Sequence, residues 1–196
     1  MMQLTPLTVA RSQLLTAIEL LLTDKDPVSV QALAGNAREL LEELCRQAGV
    51  EPMTELLLQD HPGRPKKDIY AAMNLYRNCF KHLGKTEEAR QEDQCTLNQF
   101  DDTKNDYLLY ICVEDYGRLR GSMPIPMQIF HAWFCACHVD LLTDQSRAQN
   151  FLDRFPGIQR MSRAQQKRGV AACIERFSND PELLAHAGTE PLFIDD

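Results

Sequence analysis

The segment Arg77-Asn78-Cys79-Phe80-Lys81-His82 holds the side chains best suited to chemistry in this 196-residue sequence. A histidine accepts or donates a proton near neutral pH, and an arginine stays charged and matches two phosphate oxygens at once. Together they fit metal-independent cleavage of an RNA phosphodiester. The imidazole would take a proton from a ribose 2′-hydroxyl or give one to the leaving oxygen, while the guanidinium stabilises charge building on phosphorus. The plain alternative is electrostatic: Lys81, His82 and Lys85 complement the dipole at a helix C-terminus. No cofactor is implied by either reading.

The element that carries these residues is a helix over Lys66 to His82, periodic through Ile69, Ala72, Met73, Tyr76 and Phe80, with Gly84 placed to close it. Five steps along a regular helix turn a side chain through roughly 140°, so Arg77 and His82 do not share a face, whereas Asn78 and His82, four apart, do. Convergence of Arg77 with His82 needs the long arginine arm, fraying near Lys81, or a second copy of the segment across a two-fold axis. Asn36, Arg38 and Glu39 on the second helix could approach Arg77, although exposure or a capping bond is the commoner fate of such residues.

The rest of the chain reads as helices with short breaks. Val9, Leu14, Ile18, Leu21 and Leu22 recur at helical spacing from Thr8. Asp26 caps a second helix that begins at Pro27 and runs to Gly49. A short helix spans Met53 to Gln59, and His61-Pro62-Gly63-Arg64-Pro65 forms a loop. The acidic stretch Glu87 to Asp102 reads as a surface connection, with Cys95 to Phe100 an extended piece, and no sheet is expected. Asp101-Asp102-Thr103 starts a helix that ends at Gly121, and Pro124 and Pro126 precede a strongly apolar one containing Trp133, a core residue. Shorter helical pieces follow, broken at Pro156-Gly157 and Ser178-Asn179-Asp180-Pro181, and the end of the chain looks appended. The expected fold is all-α: a bundle of about four to five long helices over residues 1–145, with residues 146–196 a short helical C-terminal extension packed on the same domain.

Two further clusters bear on function. Between Arg154 and Arg168 five basic residues occur with no acid, and Arg160, Arg163, Lys167 and Arg168 could form a stripe facing RNA; a solvated helix face is the commoner outcome. His131, Cys135 and His138 would line one helical face. Zinc would need a fourth ligand, and core thiols with hydrogen-bonded histidines are the better account, so no metal is assigned.

The pattern of Arg77, a polar Asn78, then three residues and His82 near a helix end resembles the signature of HEPN domains. The stretch from Asp26 to Leu41 also resembles bacterial proteins related to that group, a likeness covering roughly Thr8 to Leu142. The resemblance implies a dimeric, metal-independent endoribonuclease, with RNA as substrate and, as in toxin or defence members, an antitoxin protein as partner. It implies Arg77 as the phosphate-binding and transition-state group, Asn78 as the polar residue orienting the site and His82 as acid/base. Lys81, next to them in sequence, is a candidate contact to RNA. Some members are noncatalytic binding or dimerisation modules. Leu83-Gly84 follows His82 here, where many nuclease members carry a further aromatic or polar residue.

Bulk properties narrow the classes. At 44% hydrophobic and 25% charged the composition is globular, and a net charge of −7 argues against nonspecific coating of nucleic acid, which relies on clustered Lys and Arg. Seven cysteines, an odd count within apolar helical patterns, suit a reducing cytosol. No signal peptide and no membrane span are expected, so the location implied is cytoplasmic.

Overall fold

The computed structural model describes residues 4–192; residues 1–3 and 193–196, the outer ends of the two segments read from sequence, lie outside the described residues. The fold is all-α apart from one pair of two-residue strands, with ten α-helices among the described residues.

Two antiparallel helices form the base. Helix α1, Pro6–Leu22, starts in a capping box in which Thr5 accepts from the Thr8 amide and Thr8 accepts from the Thr5 amide. Helix α2, Pro27–Gln47, starts at Asp26, whose carboxylate accepts from the amides of Val28 and Ser29. Their facing stripes, Ala10, Leu14, Ala17 and Ile18 against Val30, Ala34, Ala37 and Leu41, are shut off from solvent. The alanines let the two backbones approach closely. Helix α3 is Met53–Asp60. Helix α6, Lys104–Arg120, closes at Gly121 in the left-handed conformation (φ 71°) that glycine adopts without penalty. With α7, Ile125–Cys137, it completes the core through Leu109, Tyr116, Phe130 and Trp133. Helices α8, Gln145–Arg154, and α9, Arg163–Phe177, lie against α7, and Ile158 and Val170 join the same core. No described helix is long and apolar enough to cross a membrane.

Three sequence readings need correction. The acidic stretch is not an extended connection. It holds helix α5, Glu87–Leu97, capped by Thr86 accepting from the Ala89 amide, with Glu87 and Glu88 in the first turn, where the dipole favours them. The helix has no buried residue, so it leaves little apolar periodicity to detect. Helix α4, Lys66–Lys81, ends with His82 in an extended conformation, not on Gly84. Gly84 serves another purpose: a Cβ there would lie 2.7 Å from the Ala89 and Arg90 backbone, so its absence lets α5 turn back against α4. The Gly84 amide also donates to Asp93 at 2.9 Å.

The end of the described chain is anchored, not appended. Strand β1, Met123–Pro124, pairs in parallel with β2, Thr189–Glu190. Helix α10, Pro181–Leu184, precedes that pairing. The buried Glu190 carboxylate accepts from the Tyr116 hydroxyl (2.5 Å), the Ser122 hydroxyl (2.9 Å) and Arg120 Nε (3.1 Å). Arg11, also buried, donates to the carbonyls of Pro191 (2.5 Å) and Leu192 (3.0 Å). Three segments distant in sequence therefore meet around one carboxylate, since Arg11 Nε also lies 3.6 Å from Glu190.

Candidate functional site at the end of helix α4

Helix α4 is held to α2 by polar contacts, and Arg77 is the last of them. Tyr70, Asn74 and Arg77 recur at steps of four and three, which puts them on one face. The Tyr70 hydroxyl donates to Glu42, Asn74 Oδ1 accepts from Arg38 at 3.0 Å, and the Arg77 guanidinium donates from both terminal nitrogens to Glu39 at 2.7 and 2.8 Å. Arg38 is 2% exposed and pairs with Glu42 at 2.5 Å, so this end of the ladder is desolvated. Glu42 also accepts from Arg46.

Arg77 Nη2 lies 3.5 Å from Asn36 Oδ1. The arginine stem crosses α2 at Gly35, where a Cβ would stand 2.8 Å from Arg77 Cδ. A glycine inside a helix costs about 1 kcal/mol relative to alanine, and here that cost makes room for one side chain. Residues 35, 36 and 39 of α2 thus form the seat of Arg77. The sequence marked Asn36 and Glu39 only as neighbours that could approach, and nothing local distinguishes Gly35 from a packing glycine.

Asn78, Lys81 and His82 are exposed. The His82 amide donates to the Asn78 carbonyl at 2.9 Å, ending the helix, and its imidazole makes no hydrogen bond among the described residues. Arg77 therefore leans onto α2 while His82 stands in solvent one turn further on. Beside them Tyr76 and Phe80 pack on Phe100, each with ring centroids at 5.0 Å, which braces the helix end against the segment after α5.

The basic stripe divides. Arg160 and Arg168 are exposed, whereas Arg163 and Lys167 are committed to carboxylates. Arg163 donates to both oxygens of Asp106 at 2.6 and 2.7 Å and to Asp102 at 3.2 Å, and lies over the Trp133 ring. Lys167, 3% exposed, reaches Asp24 at 2.5 Å and also contacts Asp102. No hydrogen bond or ion pair among the described residues joins these four to Arg77 or His82.

His131 and Cys135 do meet, but around a carboxylate that the sequence did not single out. His131 Nε2 lies 2.7 Å from Glu114 Oε1 and 3.9 Å from Cys135 Sγ. His138 instead packs tilted against Phe134 and approaches the Tyr107 hydroxyl at 3.4 Å. Among the described residues no group of three or more His, Cys, Asp or Glu is placed to hold a metal. Nor is this a nucleophilic triad. The thiol and the carboxylate address the same ring nitrogen, so the ring cannot relay a proton between them, and Cys135 is 2% exposed.

Burial opposes a charge on His131, but its hydrogen bonds to Cys135 and Glu114 outweigh that and raise its pKa to about 9. A raised histidine pKa adds stability that is complete below the unfolded value near 6.5 and is lost as pH rises through about 9. Thermal melts should therefore show Tm falling between those values. Glu114→Gln should flatten that slope, and an unchanged slope in the variant would mean that another group causes it.

Comparison with protein-family models, with curated proteins and with solved structures finds no match.

Proposed function

We propose that the chain is a HEPN-type, metal-independent endoribonuclease acting as a homodimer in the cytoplasm, in the manner of toxin or defence proteins restrained by an antitoxin partner. The observation that carries this reading is the seat of Arg77. A guanidinium fixed by Glu39 and Asn36 over Gly35 is a preorganised cation, and one turn further along the chain His82 is a free acid/base. Glu39 orients the guanidinium without exhausting it. Arginine carries five N–H donors, and the carboxylate takes one from each terminal nitrogen, leaving others for a phosphate oxygen. His82 would take the 2′-hydroxyl proton, the 2′-oxygen would attack phosphorus, and the P–O5′ bond would break to leave a 2′,3′-cyclic phosphate. A second copy would supply the acid that protonates the leaving 5′-oxygen. A dimer also suits α4, which has no buried residue, with Leu75 on it and Leu83 just past its end exposed.

The test is incubation of the full-length protein with single-stranded RNA in EDTA, alongside Gly35→Ala. Alanine favours the helix but displaces the arginine stem, and a misplacement of about 1 Å can cost on the order of 100-fold in rate. Cleavage by the parent protein, reduced to that degree in a folded variant, supports the proposal. RNA left intact by the parent protein sinks it.

A second reading has its own observation. The Arg77–Glu39 pair also fastens α4 to α2, as a noncatalytic helical dimerisation or interaction module would need. In that case Arg77→Ala changes oligomeric state or partner binding and leaves RNA untouched.

A further inference from the structure

A cavity of about 320 Å3 opens between α3, α6, α7 and the start of α8, and the chemistry proposed at Arg77 makes no use of it. Its size falls in the range of small-molecule sites and gives room for about ten water-sized groups. Met53, Leu56 and Leu142 supply apolar wall, and the cations Arg118, His131 and Arg147 line the same space. Glu114 is already balanced, by His131 at 2.7 Å and by Arg118 Nε at 3.6 Å. Arg147 is only loosely engaged: its charge acts on Asp144 at the start of the same helix, but its guanidinium has no hydrogen bond or ion pair among the described residues, and the side chain lines the cavity. His131 Nδ1 likewise makes no hydrogen bond among them, so the ring keeps an unused nitrogen.

We propose that this cavity binds a small organic monoacid, its carboxylate gripped by Arg147 and its apolar body against Met53, Leu56 and Leu142. A guanidinium matches a planar carboxylate through two parallel hydrogen bonds, which favours this class over a spherical anion. The apolar wall selects against a fully hydrated ligand, and one guanidinium without hydrogen bonds suits one carboxylate. Because α6 and α7 both border the cavity, an occupant would tie α3 and α8 to the core from one point.

Melting of the full-length protein with benzoate or hexanoate, and with inorganic phosphate as the competing chemistry, tests the assignment. At about five times its dissociation constant, a carboxylate specific for the folded state raises Tm by about 2–4 °C. Arg147→Ala, which removes an exposed side chain whose guanidinium makes no hydrogen bond among the described residues, should leave the ligand-free Tm unchanged and abolish the rise. The proposal is overturned if neither carboxylate shifts Tm, if parent and variant shift equally, or if phosphate shifts Tm as much as the carboxylates do. RNA cleavage in EDTA is a separate readout, so the two proposals can fail independently.

Discussion

His82→Ala is expected to lower RNA cleavage in EDTA by about 10²–10⁴-fold, the usual contribution of a positioned proton-transfer group. The side chain is exposed, makes no hydrogen bond among the described residues and follows the last helical residue of α4, so its removal disturbs no packing. The backbone bond that ends the helix, from the His82 amide to the Asn78 carbonyl, survives the substitution. Tm should therefore move by no more than about 1–2 °C, since surface substitutions away from special features stay within about 0.5 kcal/mol. A large loss of rate with an unchanged melt would isolate a chemical role. Equal cleavage by both proteins would assign the ribonuclease activity to some other group or to a contaminant. The Gly35→Ala result then separates the two halves of the proposed site: alanine at 35 shifts the phosphate-binding group, and alanine at 82 removes the proton carrier.

Arg163→Ala should produce the largest loss of stability, about 3–5 kcal/mol, or a fall in Tm of about 6–20 °C for a chain of this size. Arg163 donates to both oxygens of Asp106, whose side chain is 7% exposed, and without it that carboxylate stays buried with no partner at hydrogen-bond distance among the described residues. Burial already raises the pKa of Asp106 to about 6 against the pull of Arg163. The sign of the pH dependence follows. A carboxyl with a folded pKa above its unfolded value holds its proton more tightly when folded, so stability falls as pH rises through that window. Loss of Arg163 removes the opposing charge and deepens the effect. The deficit of the variant should be full near pH 7 and smaller below about pH 3, where Asp106 is neutral in both states. Denaturant titrations at those two values measure it directly. A deficit independent of pH would put the loss in packing against the Trp133 ring instead of in the ion pair. The double variant Arg163→Met/Asp106→Leu should recover much of the loss, because it leaves no unpaired charge behind.

What was legible in the sequence, and what was not, divides by distance along the chain. The starts of α2 and α7 could be read from Asp26-Pro27 and from Pro124 and Pro126, and the ends of α1 and α6 from Asp24 and Gly121. Those signals are capping bonds and backbone preferences that act within about one turn, so neighbouring residues carry them whole. The apolar stripes did the same for burial, and Trp133 is 1% exposed as its surroundings predict. Helix α5 escaped because it buries nothing, and a helix held by a cap and a few polar contacts has no periodicity to announce it. The Arg77 hexapeptide could be found, but not its seat. Only the tertiary structure decided that Arg77 meets Glu39, 38 positions away, that Lys167 turns inward to Asp24 across 143 positions, and that Arg11 holds the carbonyl of Leu192 across 181. The physical reason is that helix periodicity specifies which face a residue occupies, while the identity of the charge opposite depends on how whole helices pack. An arginine reads the same whether it faces solvent, a phosphate or a buried carboxylate, and packing alone selects among them.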